Sequence, residues 1–160
     1  MLKLLFIISL SLGVLASDTS KLTPTNVKDF LSGLALGLGN GSTSTCSQGL
    51  STMINNSYKV ISDFTAKTQN LQQDITTLND LQLVVNSISS VSKCDFSTLD
   101  NQLNKIFSKQ GIEILTQNYI NNGAVLYTDY NTMMTCTENY STCGQAVGNA
   151  FKLLIGWSLN

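Results

Sequence analysis

Between Thr23 and Trp157 the apolar residues of the chain recur every three or four positions, the spacing of one face of an α-helix. Thr23 fits an N-cap and Pro24 a first helical position. Val27, Phe30, Leu31, Leu34 and Leu38 then share one face. The stretch from Gly39 to Thr45 is a loop by composition. A second helix is predicted from Cys46 to Lys67, with Leu50, Ile54, Ile61 and Phe64 on its apolar side. The cleanest amphipathic pattern follows, with Leu71, Ile75, Leu78, Leu81, Val85 and Ile88 expected to face the core. It covers only about three heptads and lacks opposed flanking charges, so it predicts a bundle helix rather than a coiled coil.

Ser97 is placed to cap a short helix carrying Leu99, Leu103, Ile106 and Phe107, which Gly111 ends. A further helix runs from Ile112 towards Cys136, with an interruption expected at Asn121-Asn122-Gly123. Thr142-Cys-Gly-Gln145 matches a capping box and predicts the start of the last helix. In that helix only Gln145, Asn149 and Lys152 form a polar strip, so it is expected to be surrounded and central. The pattern therefore predicts an all-α, helical bundle of about five to six helices.

The first seventeen residues change the picture of where this bundle works. Lys3, an apolar run from Leu4 to Ala16 and small residues after it form a secretory signal peptide pattern. The run is too short to span the ~30 Å hydrocarbon core, which needs ~20 residues. Residues 1–17 are thus read as a signal peptide and 18–160 as a single helical domain, secreted or at the cell surface. No membrane association is expected beyond the signal peptide. In an oxidising compartment the four cysteines Cys46, Cys94, Cys136 and Cys143 read as two disulfides. Sequence alone allows three pairings. Helices packed antiparallel would gather all four cysteines at one pole. The favoured pairing is Cys46–Cys94 with Cys136–Cys143. Three sequons, at Asn40, Asn55 and Asn139, are glycosylation candidates.

Only 12 % of the residues are charged, and all nine basic residues are lysines against ten acids. A chain with net charge −1 and no arginine carries no electrostatic footprint for nucleic acid. Histidine is absent, so neither a Ser–His nor a Cys–His pair can be built. The two glutamates, Glu113 and Glu138, and the aspartates are scattered, with no D-x-D or E-x-x-E grouping. No catalytic residue, no metal ligand set and no cofactor site is expected, and no enzyme. The run Gly37-Leu-Gly39-Asn-Gly41-Ser lacks the following lysine and preceding strand of a phosphate loop.

Glycines point to packing instead. Gly33-x-x-x-Gly37 lies on the first helix and Gly144-x-x-x-Gly148 on the last. A glycine inside a helix costs roughly 0.5–1 kcal/mol relative to alanine. Close backbone approach is the usual return, which predicts that these two helices cross at their glycines.

The order Phe30-x-x-Gly33-Leu34-x-x-Gly37-Leu38, Cys46, a helical hairpin ending at Cys94, Asp129-Tyr130, and Gly144-x-x-x-Gly148 before Leu153-Leu154-Ile155-Gly156 resembles a known group. These are the small, secreted, lysine- and asparagine-rich helical proteins that ciliates encode in many divergent copies. The resemblance implies a secreted helical protein and carries over no site residues.

Together these features predict a non-catalytic protein acting by binding or self-assembly outside the cell. Its partner would be itself, as homo-oligomer or filament through terminal residues such as Trp157 and Leu159, or another extracellular protein. The alternative is a carrier of a lipid or other small apolar ligand, with Tyr127, Met133, Met134 and Trp157 lining its cavity.

Overall fold

The computed structural model describes residues 23–39, 44–65 and 71–159; the segment 1–17 read as a signal peptide and the sequon residue Asn40 lie outside them. Among the described residues the chain is all-α, with no strand. Six helices follow in order: α1 (Pro24–Leu38), α2 (Thr45–Thr65), α3 (Leu71–Val91), α4 (Ser97–Ile106), α5 (Gly111–Met134) and α6 (Tyr140–Ile155).

Local chemistry sets the helix starts. Thr23 Oγ1 accepts from the Asn26 amide at 3.2 Å, with Pro24 just inside α1. At α4 the capping group is Asp95, not Ser97. The Asp95 carboxylate accepts from the Ser97 amide at 2.9 Å and from the Ser97 hydroxyl. At α6 it is Asn139 rather than Thr142, because the Asn139 side chain reaches the Thr142 amide at 3.1 Å and the helix begins three residues earlier. α5 runs unbroken through Asn121-Asn122-Gly123. Asn122 donates back to the Asn118 carbonyl at 2.9 Å, and one glycine costing about 1 kcal/mol does not stop a helix of this length.

α1 and α6 form the centre, and they are parallel. Backbone of α6 at Ser141 and Gln145 lies over Gly33, and at Gln145 and Asn149 over Gly37. Reciprocally, Phe30 and Leu34 lie over Gly144, and Leu34 and Leu38 over Gly148. A Cβ at any of the four positions would overlap the facing main chain, so each helix presents its glycines to the other's backbone. α6 also packs on α5 and touches α4, which gives it the expected central place.

The disulfides join Cys46 to Cys94 and Cys136 to Cys143, with Cα–Cα separations of 5.7 and 5.8 Å. They do not share a pole. Cys143 packs with Phe30, whereas Cys46 and Cys94 belong to a separate cluster with Leu99, Leu103, Ile155, Trp157 and Leu159. The parallel α1–α6 pair is the reason: the start of α6 lies beside the first half of α1, and α2 begins beyond the end of α1.

Two apolar expectations are corrected. The α3 face bearing Leu78, Leu81, Val85 and Ile88 points to solvent, with Leu78 65 % and Val85 63 % exposed. α3 meets α2 through small and polar residues instead. Asn56 donates to Ser87 Oγ at 3.1 Å, both residues being buried, and Gly49 lies against Ser90. The terminal residues Trp157 and Leu159 are buried and are not free for assembly. The Leu159 amide donates to the Leu38 carbonyl at 2.8 Å, and Trp157 Nε1 to Thr98 Oγ1 at 3.0 Å. The tail folds back because the end of α6 is held. Its Leu154 and Ile155 carbonyls accept from Asn118 and Gln102, and Gly156 turns the chain in the left-handed region at φ 70°.

Candidate functional site

The folded-back tail closes one side of an apolar cleft of about 410 Å³. Its floor is the outer face of α1: Leu31, Leu34, Ala35 and Leu38. Leu50, Met53 and Ile54 of α2 form one wall. Val91, Phe96 and Leu99, at the turn from α3 into α4, form another. Phe151 of α6, with Trp157 and Leu159, completes it. No charged or polar side chain lines the cleft. The Trp157 indole N–H, the one polar group on a lining side chain, is already bonded to Thr98. The volume lies within the 300–1,000 Å³ range of small-molecule sites.

The Cys46–Cys94 bridge ties the start of α2 to the end of α3, at the edge of this cleft. It fixes the α2 wall against the turn that carries Phe96. The cavity-lining set expected from the sequence is corrected here. Of its four residues only Trp157 lines the cleft; Tyr127 and Met134 are each 68 % exposed, and Met133 is half-buried elsewhere. The α1 and α2 lining residues read in the sequence as ordinary core. An empty apolar wall and a filled one share the same periodicity, so no sequence signal separates them.

A second, polar cleft of about 320 Å³ lies where α1, α5 and α6 meet. It holds the polar strip of α6 opposite Asp129 of α5. Asn149 donates to the Asp129 carboxylate at 2.7 Å, and Lys152 Nζ donates to the Gly39 carbonyl at 2.8 Å. Burial raises the Asp129 pKa above its ordinary 3.8, while Asn149 and the Lys152 charge oppose the rise. The strip was legible from α6; its α5 partner was not. Asp129 is the one carboxylate among the lining residues, which also include the Thr132 and Thr142 hydroxyls and the Lys152 amine. Among the described residues, no three of His, Cys, Asp and Glu gather to hold a metal ion.

Of the sequon asparagines, Asn139 is exposed at the start of α6 and Asn55 is half-buried within α2. Asn55 Nδ2, the atom a glycan would occupy, donates to the Ser51 carbonyl at 2.9 Å. No described helix is long and apolar enough to cross a membrane. No protein-family model, curated protein or solved structure matches the chain significantly.

Proposed function

We propose that this is a secreted, non-catalytic binding protein, and that it carries one small, uncharged, apolar molecule in the cleft over α1. The observation that carries the reading is the composition of that cleft. Its walls are aliphatic and aromatic throughout, with no cation to hold a carboxylate or phosphate and no free donor to orient a polar group. Such a surface recognises shape and apolar area. Each methylene buried contributes about 0.8 kcal/mol, so a single acyl chain or a compact hydrocarbon-like molecule has enough area for useful affinity. Two disulfides, a signal-peptide-like start and the ciliate-type resemblance support action outside the cell.

Trp157 is the only tryptophan of the chain and lines the cleft, so it reports occupancy directly. A long-chain bromoalkane is expected to quench its fluorescence saturably at one equivalent. Replacing Leu50 by Asp, which puts a charge in the wall, should abolish the saturable phase in a protein that keeps its helical circular dichroism. Non-saturable quenching of the folded wild type, equal to that of free tryptophan, would remove the carrier reading.

A further inference from the structure

α5 carries an apolar stripe that none of the described residues covers. Ile112 is 80 % exposed, Tyr119 61 %, Tyr127 68 %, Tyr130 54 % and Met134 68 %, with Ile120 alongside at 66 %. The stripe contains no charged residue. Its spacing is symmetric. Ile112, Thr116 and Tyr119 stand eleven, seven and four residues before Gly123, and Tyr127, Tyr130 and Met134 stand four, seven and eleven after it. The pattern is an 11-residue repeat used twice. At about 3.67 residues per turn it runs almost straight along the helix.

None of the described residues packs on Gly123. It lies mid-helix without a positive φ, and a Cβ there would meet nothing within 4 Å. Every other helical glycine faces something: those of α1 and α6 face backbone, Gly49 meets Ser90 and Val91, and Gly111 meets Ile106. We propose that α5 pairs with α5 of a second copy, antiparallel and twofold-symmetric, with the two helices crossing at Gly123. An isologous interface requires that residue i meets j and j meets i. The symmetric spacing satisfies this at every position: Ile112 meets Met134, Thr116 meets Tyr130, and Tyr119 meets Tyr127. The notch at Gly123 lets the backbones approach at the centre, as Gly33 and Gly144 do between α1 and α6.

The area is sufficient. The exposed stripe offers roughly 700 Å² per copy, so pairing buries about 1,400 Å², inside the 1,200–2,000 Å² range of stable interfaces. A lipid surface fits less well, because helices that lie on membranes carry lysines and arginines on their polar face and α5 contains neither. The exposed face of α3 pairs Leu78 with Ile88 and Leu81 with Val85 about position 83, but Leu83 stands at that centre and no glycine opens a notch there. The pairing is independent of the cleft, which lies on α1 and α2 and involves no α5 residue.

The test is sedimentation equilibrium on the secreted, oxidised full chain, together with cross-linking. The wild type is expected to be a micromolar or tighter dimer. Tyr127→Glu places two carboxylates in the interface and should weaken the dimer by at least about a hundredfold, with circular dichroism unchanged and a melting temperature that no longer depends on protein concentration. Tyr119→Cys mixed with Tyr127→Cys, which the antiparallel register brings face to face, should form a covalent heterodimer on air oxidation. Gln117→Cys, away from the stripe, should not. A monomeric wild type overturns the proposal, and so does a dimer indifferent to Tyr127→Glu. Cross-linking of Gln117→Cys as efficient as that of the Tyr119→Cys and Tyr127→Cys mixture overturns the antiparallel register. A monomer that co-sediments with phosphatidylcholine vesicles, and loses this with Tyr127→Glu, assigns the stripe to a lipid surface instead.

Discussion

The α1–α6 pair and the α2–α3 hairpin are both two-helix contacts, yet they are built on opposite rules. In the first, apolar faces and glycines point inward, and backbone meets backbone at Gly33, Gly37, Gly144 and Gly148. In the second, the inward face is small and polar, held by Asn56 and Ser87, while Leu78, Val85 and Ile88 face outward. Glycine spacing marks a face that must meet another main chain, because any side chain there would be rejected. Hydrophobic spacing marks only that one face differs from the other. Which side is covered depends on partners that the helix itself does not specify.

Filling a glycine should separate the two regions most sharply. Gly37→Leu drives a side chain into the Gln145–Asn149 main chain, which cannot rotate away. A loss of about 4–5 kcal/mol, the size of exceptional core lesions, is expected in urea unfolding. Val85→Asn on the exposed face of α3 should stay within about 0.5 kcal/mol. Equal losses in the two variants would erase the distinction.

The disulfides extend the contrast. The Cys46–Cys94 bridge closes a separation of 48 residues around the hairpin, and Cys136–Cys143 closes only 7. On loop entropy alone, replacing the first pair by alanine should cost about 4 kcal/mol and the second about 2 kcal/mol. The larger loss should come with faster amide exchange confined to α2 and α3, since the bridge holds that hairpin to the rest. Next in size is the polar seam itself. Asn56→Ala removes the donor to Ser87 Oγ, which still donates to the Leu83 carbonyl at 2.8 Å, and should cost about 1 kcal/mol. Combining Asn56→Leu with Ser87→Ala should recover most of it, because an apolar pair leaves no buried acceptor without its donor. A double variant no better than Asn56→Ala would mean that the seam depends on polarity rather than fit.

The same contrast explains what could be read in advance. Helix number and most boundaries follow from caps and periodicity, whereas the cysteine pairing is one of three that the sequence allows, favoured for the small loop that Cys136–Cys143 closes. The crossing of α1 and α6 follows from Gly33, Gly37, Gly144 and Gly148, since a missing side chain is informative only where something must come close. The outward turn of α3 does not follow, because Leu78 and Val85 would serve a core equally well. Nor does the cleft. Leu34 and Leu50 line empty space for reasons that lie in the tail, where Gly156 sends Trp157 and Leu159 back over α1. Asp129 lacked a visible partner because Asn149 and Lys152 are distant in sequence and adjacent only once α5 and α6 pack.

The smallest expected effect is electrostatic, and it gives the two sides of the molecule opposite responses to pH. Asp129, beside α6, has its pKa raised by burial. Its folded state holds the proton more tightly than the unfolded chain. The group is neutral in its effect below the ordinary value of 3.8, and stability falls as pH rises through the interval up to the raised value. Asp95, at the turn from α3 into α4, has its pKa lowered by the Ser97 hydroxyl and amide. Its contribution is present above the unfolded value and is lost as pH falls through the lowered one. Melting temperature followed from acid to neutral pH should therefore lose its decline above the ordinary carboxylate value in Asp129→Asn, and lose part of its acid-side rise in Asp95→Asn. Lys152→Met sharpens the assignment. It removes the opposing positive charge, so the Asp129 interval should widen upward while the Asp95 limb stays in place. A Lys152→Met profile that shifts both limbs together would show that the two carboxylates respond to net charge rather than to their own surroundings.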